Sequence, residues 1–314
     1  MNTVTKRRVS PRNHAGDYDV SVLGLGAMGS RMAEALIDQG KRVAVWNRSP
    51  GKADALEEAG AHACESAQAA LRASPASILV LLDNVAVQDV LWSLDATRTL
   101  SDRTIVNFTT NTIDESKALQ RMFEETGGGY VKGTIVAYPR NIGHPESHGI
   151  YSGSQDSIMR HRDLLEILTP NVITLPWDEA YAFSVMLHIH AFASMLSFHE
   201  AVAASHRFGM PPSQVASLIH KASRFFVSDA IDDAARRLES GEFGGDQARL
   251  AVHASAFEYL AQAMQARGAP IPVFDSVRKA TLEAETMGYG NEDIAAMIKF
   301  FASELLFNEV PSGN

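Results

Sequence analysis

Three glycines spaced for close approach to a phosphate stand near the start of the chain. The run Val20-Ser-Val-Leu-Gly24-Leu-Gly26-Ala-Met-Gly29 begins in β-branched sequence and leads into a helical stretch at 30–39. In that strand–turn–helix setting Gly24 permits the tight turn, Gly26 lets the backbone approach a pyrophosphate, and Gly29 lets the helix pack closely on the strand. The helix N-terminus then offers free N–H groups and a partial positive charge, so binding of a dinucleotide is predicted. The next expected strand ends Val45-Trp46-Asn47-Arg48-Ser49, with Lys52 beyond and no carboxylate for a ribose 2′-hydroxyl. Arg48 and Lys52 can neutralise a 2′-phosphate there, and Asn47 and Ser49 can hydrogen-bond it. NADPH is therefore the expected cofactor, against the plainer reading of a solvated basic loop.

A second set of chemically able side chains lies at 177–208, a stretch rich in Ala, Leu, Met, His and Phe and free of Gly and Pro. Thirty helical residues span roughly 45 Å, too long for one small domain, so a helix joining two domains is predicted. Tyr181, Ser184 and His188 are spaced by three and four, which puts them on one stripe of that helix. A phenol, a hydroxyl and an imidazole in line can relay a proton to a bound molecule, the histidine titrating near neutrality. A histidine on an apolar helix is more often a packed core residue. His188 and His190 project from different faces and no H-E-x-x-H pattern occurs, so no metal is expected. The pair Phe225-Phe226 reads as core or pocket wall.

The elements that must position these groups are visible as short apolar runs alternating with helix-length segments. Strands are predicted at 20–23, 42–46, 78–82, 104–107, 130–132, 149–152 and 171–174, as a parallel sheet buried on both faces requires. Residues 18–176 thus read as α/β, a doubly wound Rossmann domain. Helices are predicted at 212–221, 225–239, 246–267, 272–286 and 292–301, separated by Gly and Pro, so 209–314 reads as an all-helical second domain. Residues 1–17 carry Lys6-Arg7-Arg8 without a hydrophobic period and read as a disordered tail, not a signal peptide. A net charge of −9, with the basic residues scattered, argues against nucleic-acid and anionic-membrane partners. No membrane-crossing segment is expected. Cys64 is the only cysteine, which excludes an intrachain disulfide and fits a reducing cytoplasm.

From about Tyr18 to Phe301 the sequence resembles the imine reductases and reductive aminases. The likeness is carried by Gly24-Leu-Gly-Ala-Met-Gly29 with Val45-Trp-Asn-Arg-Ser-Pro-Gly-Lys-Ala-Asp54, then by Leu81-Leu-Asp-Asn84 and Ile105-Val-Asn-Phe-Thr109. It continues through Tyr130-Val-Lys-Gly-Thr-Ile-Val-Ala-Tyr-Pro139, Ile142-Gly143 and Tyr151-Ser-Gly153. Its late signatures are Gly244-Gly-Asp246, Met287-Gly-Tyr-Gly290 and Glu292-Asp293. The resemblance implies an N-terminal Rossmann domain, a long interdomain helix and a C-terminal helical bundle exchanged between two chains. It further implies a homodimer whose active sites are shared between subunits and a small-molecule imine or iminium substrate. The family's cofactor contacts map onto Leu25, Ala27, Met28, Asn47, Arg48, Ser49, Lys52, Leu82, Asp83, Val87, Asn107, Thr109 and Ala137. Asp83 reads equally well as the N-cap of the segment from Val85.

At the catalytic position the chain departs from that pattern. The family presents an Asp or Tyr from the interdomain helix, and the related β-hydroxyacid dehydrogenases a Lys followed one turn later by an Asn. Here these positions are Ser184 and His188, and two further polar groups of the reductive aminases become Phe192 and Thr110. A neutral serine replaces lysine poorly in alcohol oxidation, which counts against a hydroxyacid dehydrogenase. Reduction of a C=N bond tolerates the change better, because an iminium arrives already protonated and requires mainly positioning. A protein that binds NADPH without turning it over is the remaining reading.

Overall fold

The computed structural model of the chain describes residues 17–92 and 100–302; the expected tail lies outside them apart from Asp17. The chain forms two compact units, divided within one long helix between Met186 and Leu187.

The first unit alternates β1 (Val20–Leu23), α1 (Ala27–Asp38), β2 (Val43–Trp46), α2 (Asp54–Glu58), β3 (His62–Ala63), α3 (Ala67–Ala73), β4 (Ala76–Leu79) and α4 (Asn84–Trp92). There follow β5 (Thr104–Asn107), α5 (Ile113–Glu125), β6 (Gly129–Val136), β7 (His148–Gly153), α6 (Gln155–Arg160), α7 (Arg162–Leu168) and β8 (Asn171–Thr174). One eight-stranded sheet results, in the order β3-β2-β1-β4-β5-β6-β7-β8. The order reverses between β2-β1 and β4-β5, the crevice where doubly wound sheets bind ligands. Val20, Val22, Val43, Val45 and Ile78 fill one core and Leu23, Leu71, Leu79, Ile105 and Tyr130 another, so both sheet faces are covered. That accounts for the near-continuous apolar runs of the central strands.

Three elements differ from the sequence expectation, each for a local reason. The 78–82 strand is β4 instead, ending at Leu79, because the Leu81 N–H leaves the ladder and donates to Thr109 Oγ1 at 2.9 Å. The 130–132 run lengthens to eight residues because β6, having paired with β5, finds a second partner in β7. That β6–β7 pairing is antiparallel, so the sheet is not wholly parallel as predicted. Strand β3 has two residues, too few to leave a period in the sequence.

The second unit takes up the remainder of α8 (Trp177–His206), followed by α9 (Pro212–Ala222), a π-helical turn (Ser223–Val227), α10 (Ser228–Ser240), α11 (Leu250–Gln265), α12 (Pro272–Thr286) and α13 (Met297–Phe301). Helix α8 is 30 residues long with no buried residue, and an 18-residue window within it has a mean hydropathy of 1.3. By length and composition alone it therefore qualifies as a membrane span, contrary to the expectation that none would. Glu200 on α8 accepts the N–H groups of Val273 and Phe274 at 2.7 and 2.8 Å. A carboxylate thus caps the otherwise open N-terminus of α12, where its charge opposes the helix dipole. Phe225 and Phe226, read from sequence as core or pocket wall, are 81% and 66% exposed on the π-helical turn.

Gly244, Asp246 and Asp293 of the late signatures form a clamp around Arg237, so the helices predicted at 246–267 and 292–301 begin later, at Leu250 and Met297. Arg237 on α10 donates to Asp233 (2.7 Å), to Asp246 (2.6 Å) and to the Gly244 carbonyl (2.9 Å), and lies 3.9 Å from Asp293. Asp293 is 6% exposed and accepts the Ala295 N–H at 2.9 Å, capping a 3₁₀ turn. Replacing it with Ala removes the cap and one partner of the guanidinium. Asp293→Ala is expected to cost about 1–2 kcal/mol of stability, read by urea denaturation. An unchanged midpoint would show that the clamp contributes nothing.

Candidate functional site

The Gly-rich turn connects β1 to α1 as its spacing predicts. Gly24 sits at φ +97°, a conformation that L side chains rarely adopt, and an added Cβ would lie 2.1 Å from the Val80 carbonyl oxygen. Gly29 faces the Gly24 carbonyl so closely that a Cβ would sit 1.9 Å from its oxygen. Gly26 is the N-cap of α1; it makes no side-chain cap, and the first turn carries no acidic residue. The N–H groups at 26–29 thus have no intrahelical acceptor and remain available to an anion. Asn47 stitches the end of β2 to this turn: its Oδ1 accepts the Leu25 N–H at 2.9 Å, and its Nδ2 donates to the Ser49 carbonyl at 3.1 Å.

A cleft of about 970 Å³ opens beside the turn at the carboxyl ends of β1, β2 and β4. Of the residues expected to touch a cofactor, Gly24, Gly26, Asn47, Arg48, Ser49 and Leu82 line it. Ala27 and Lys52 are exposed, while Met28 and Ala137 are half-buried. Leu25 and Gly29 are buried within the turn. Sequence reasoning missed the wall formed by Cys64, Glu65, Ser66 and Gln68, because two-residue β3 gave no signal for the loop behind it. Ser66 did leave a trace: a serine before an apolar helical run is an N-cap pattern, and its side chain accepts the Ala69 N–H. Burial, with Glu65 beside it, pushes the Cys64 thiol up to about 11, so it stays protonated and unreactive at neutral pH.

Other expected contacts do not reach a cleft surface. Val87 is wholly buried in the second core. Asn107 is wholly buried, accepting the Thr109 N–H at 2.9 Å and donating to the Tyr130 hydroxyl at 3.0 Å. Thr109 is also buried, bound to Leu81. Thr109 thus links the carboxyl ends of β4 and β5, and Asn107 links the end of β5 to β6. Asp83 accepts the Ala86 N–H at 2.9 Å at the start of α4, which is the capping role. Lys132, given no role in the sequence reading, donates to the Thr109 carbonyl at 2.9 Å on the same rim.

Helix α8 is unbroken from Trp177 to His206, so the regular spacing places Tyr181, Ser184 and His188 along one stripe. Tyr181 and His188 are exposed, Ser184 half-buried, and the His188 ring stacks on Phe192 at 5.8 Å between centroids. Among the described residues no group of His, Cys, Asp and Glu is arranged to hold a metal ion.

A strand–turn–helix cradle with an uncapped N-terminus, at the switch point of a doubly wound sheet, defines a dinucleotide-binding protein. Residues 19–175 match the family model of the NAD binding domain of 6-phosphogluconate dehydrogenase. Residues 180–303 match the C-terminal domain of the NADPH-dependent reductive aminase-like proteins. A crystal structure from Pseudomonas putida KT2440, described only as an oxidoreductase, is 56% identical with a TM-score of 0.81, over 92% of this chain and 99% of that one. The structure of an imine reductase from Pseudomonas sp. is 33% identical with a TM-score of 0.85, over 90% and 99%. The NADPH-dependent reductive aminase of Aspergillus oryzae is 27% identical over 90% of this chain and 96% of its own length. The chain belongs to the imine reductase and reductive aminase family.

Proposed function

We propose that this protein is an NADPH-dependent reductase acting on the C=N bond of a small-molecule imine or iminium, with a non-standard group on α8 supplying the proton. The observation that carries the reading is family membership across both units, fitted by a cradle whose chemistry suits the cofactor. Open space beside Gly26 leaves room for a pyrophosphate, and Arg48 and Ser49 stand at the cleft end without a ribose-binding carboxylate on β2. When bound, NADPH supplies the hydride. The chain's own part is to orient the dinucleotide along the turn and to hold the substrate against it.

Two features support a homodimer with shared sites. Helix α8 has no buried residue, and Ile189, Phe192 and Leu196 on it are exposed. A contiguous apolar surface of this kind is characteristic of an obligate interface, and a second copy of the chain is the occupant that the family suggests.

Loss of NADPH absorbance with a panel of cyclic imines tests the function. Turnover with NADPH and much less with NADH supports the reading; no reduction of any C=N compound overturns it. The cofactor preference has its own test. Arg48→Ala with Lys52→Ala is expected to weaken NADPH binding roughly 10–100-fold, the worth of one or two charge-assisted contacts, and to leave NADH nearly unchanged. Equal weakening of both cofactors, measured by fluorescence titration, would show that these residues do not hold the 2′-phosphate.

A further inference from the structure

We infer that Lys132 is a positioning residue of the reaction site, its ammonium group holding the turn at 109–111 in the geometry that faces cofactor and substrate. The turn follows β5, whose last residue, Asn107, stands level with Lys132 in the β5–β6 register. Lys132 Nζ donates to the carbonyls of Thr109 at 2.9 Å, Gly133 at 3.2 Å and Asn107 at 3.5 Å. An ammonium has three protons, and here each meets a backbone carbonyl. Two of those carbonyls belong to the end of β5 and the turn beyond it, so one side chain ties this turn to β6. The same turn is held from the other side by Thr109, whose hydroxyl accepts the Leu81 N–H. Ligands of doubly wound sheets bind at these carboxyl ends, so the turn lies at the same edge of the sheet as the cleft.

No carboxylate pairs with Lys132 among the described residues, and burial alone pulls its pKa down from the usual 10.5 to about 8. Tyr130 lies two residues before it on the same face of β6, and Ser152 stands opposite it on β7. Because the pKa is lowered, the three-proton form is complete well below pH 8 and is lost as the pH rises through about 8. The neutral amine turns a lone pair toward one of the three carbonyls, and the tie loosens. The inference rests on the C=N reading only for the turnover arm of its test.

Lys132→Met and Lys132→Arg would be compared with the native chain for kcat at saturating NADPH and imine, across neutral to alkaline pH. Hydrogen exchange at 108–112, relative to the native chain at each pH, gives a second readout. The native enzyme is expected to lose kcat through pH 8. Lys132→Met should be slower by tenfold or more at neutral pH, since a small misplacement costs up to about 100-fold. Its NADPH affinity should stay within about threefold. Lys132→Arg, charged throughout, should recover most of the rate and lack the alkaline loss. In the exchange arm, the native turn should lose protection at high pH and the Arg variant should keep it. A Lys132→Met enzyme with native kcat and native pH profile overturns the proposal. So does a Lys132→Arg enzyme that retains both the alkaline loss and the pH-linked exchange, and that arm decides should Lys132→Met not fold. If the native protein reduces no C=N compound, the functional reading fails, and exchange at 108–112 still decides whether Lys132 holds the turn.

Discussion

Gly29→Ala is expected to abolish measurable NADPH binding and destabilise the fold, whereas Gly26→Ala should fold as well as the native chain and lose only affinity. The two glycines stand three residues apart and face opposite problems. A Cβ on Gly29 would lie 1.9 Å from the Gly24 carbonyl oxygen, backbone against backbone, so the turn itself must open. A displacement of that size costs about 2–4 kcal/mol and takes the cradle with it. Gly26 has an ordinary extended conformation, φ −73° and ψ −177°, and an added Cβ there meets nothing within 4 Å. An alanine is therefore harmless to the free protein, and any loss of affinity must come from a clash with what binds. About 100-fold weaker NADPH binding with an unchanged urea midpoint is the expected pair of results. Native affinity in Gly26→Ala would mean that the pyrophosphate does not approach the turn at this point.

The contrast also shows which parts of the site the sequence could disclose. Gly24, Gly26 and Gly29 were readable because the strand–turn–helix context requires their types at that spacing, and the structure supplies a close approach for two of them. Val87, Asn107 and Thr109 were identified by likeness as cofactor contacts; their side chains are buried, and those of Asn107 and Thr109 hydrogen-bond at the strand ends. Lys132 stood inside a block of the likeness, but its role could not be read there, because its partners are three backbone carbonyls, which no pattern of residue types records. The same limit hid the Arg237 clamp: Gly244-Gly-Asp246 and Glu292-Asp293 were visible as signatures, but ion pairs linking segments some fifty residues apart follow only from the fold.

Ser184→Ala and His188→Ala are expected to lower kcat by about 10²–10⁴-fold, the usual contribution of a positioned acid, with NADPH affinity unchanged. By the resemblance, the family position for that acid falls here on Ser184, whose hydroxyl is too weak an acid to deliver a proton alone. His188 lies four residues on, along the same helical stripe, with its ring against Phe192. An imidazole passing its proton through Ser184 makes the pair act as a unit, so the double variant should be hardly slower than either single one. Additive losses would instead assign the two side chains independent contacts. If turnover survives both substitutions, the substrate arrives as an iminium and the chain's contribution is orientation alone. Rate should then follow the protonated fraction of the imine as pH is raised, in native and variant enzymes alike. A relay through His188 predicts instead that the native and His188→Ala enzymes differ in the shape of their pH profiles on a neutral imine.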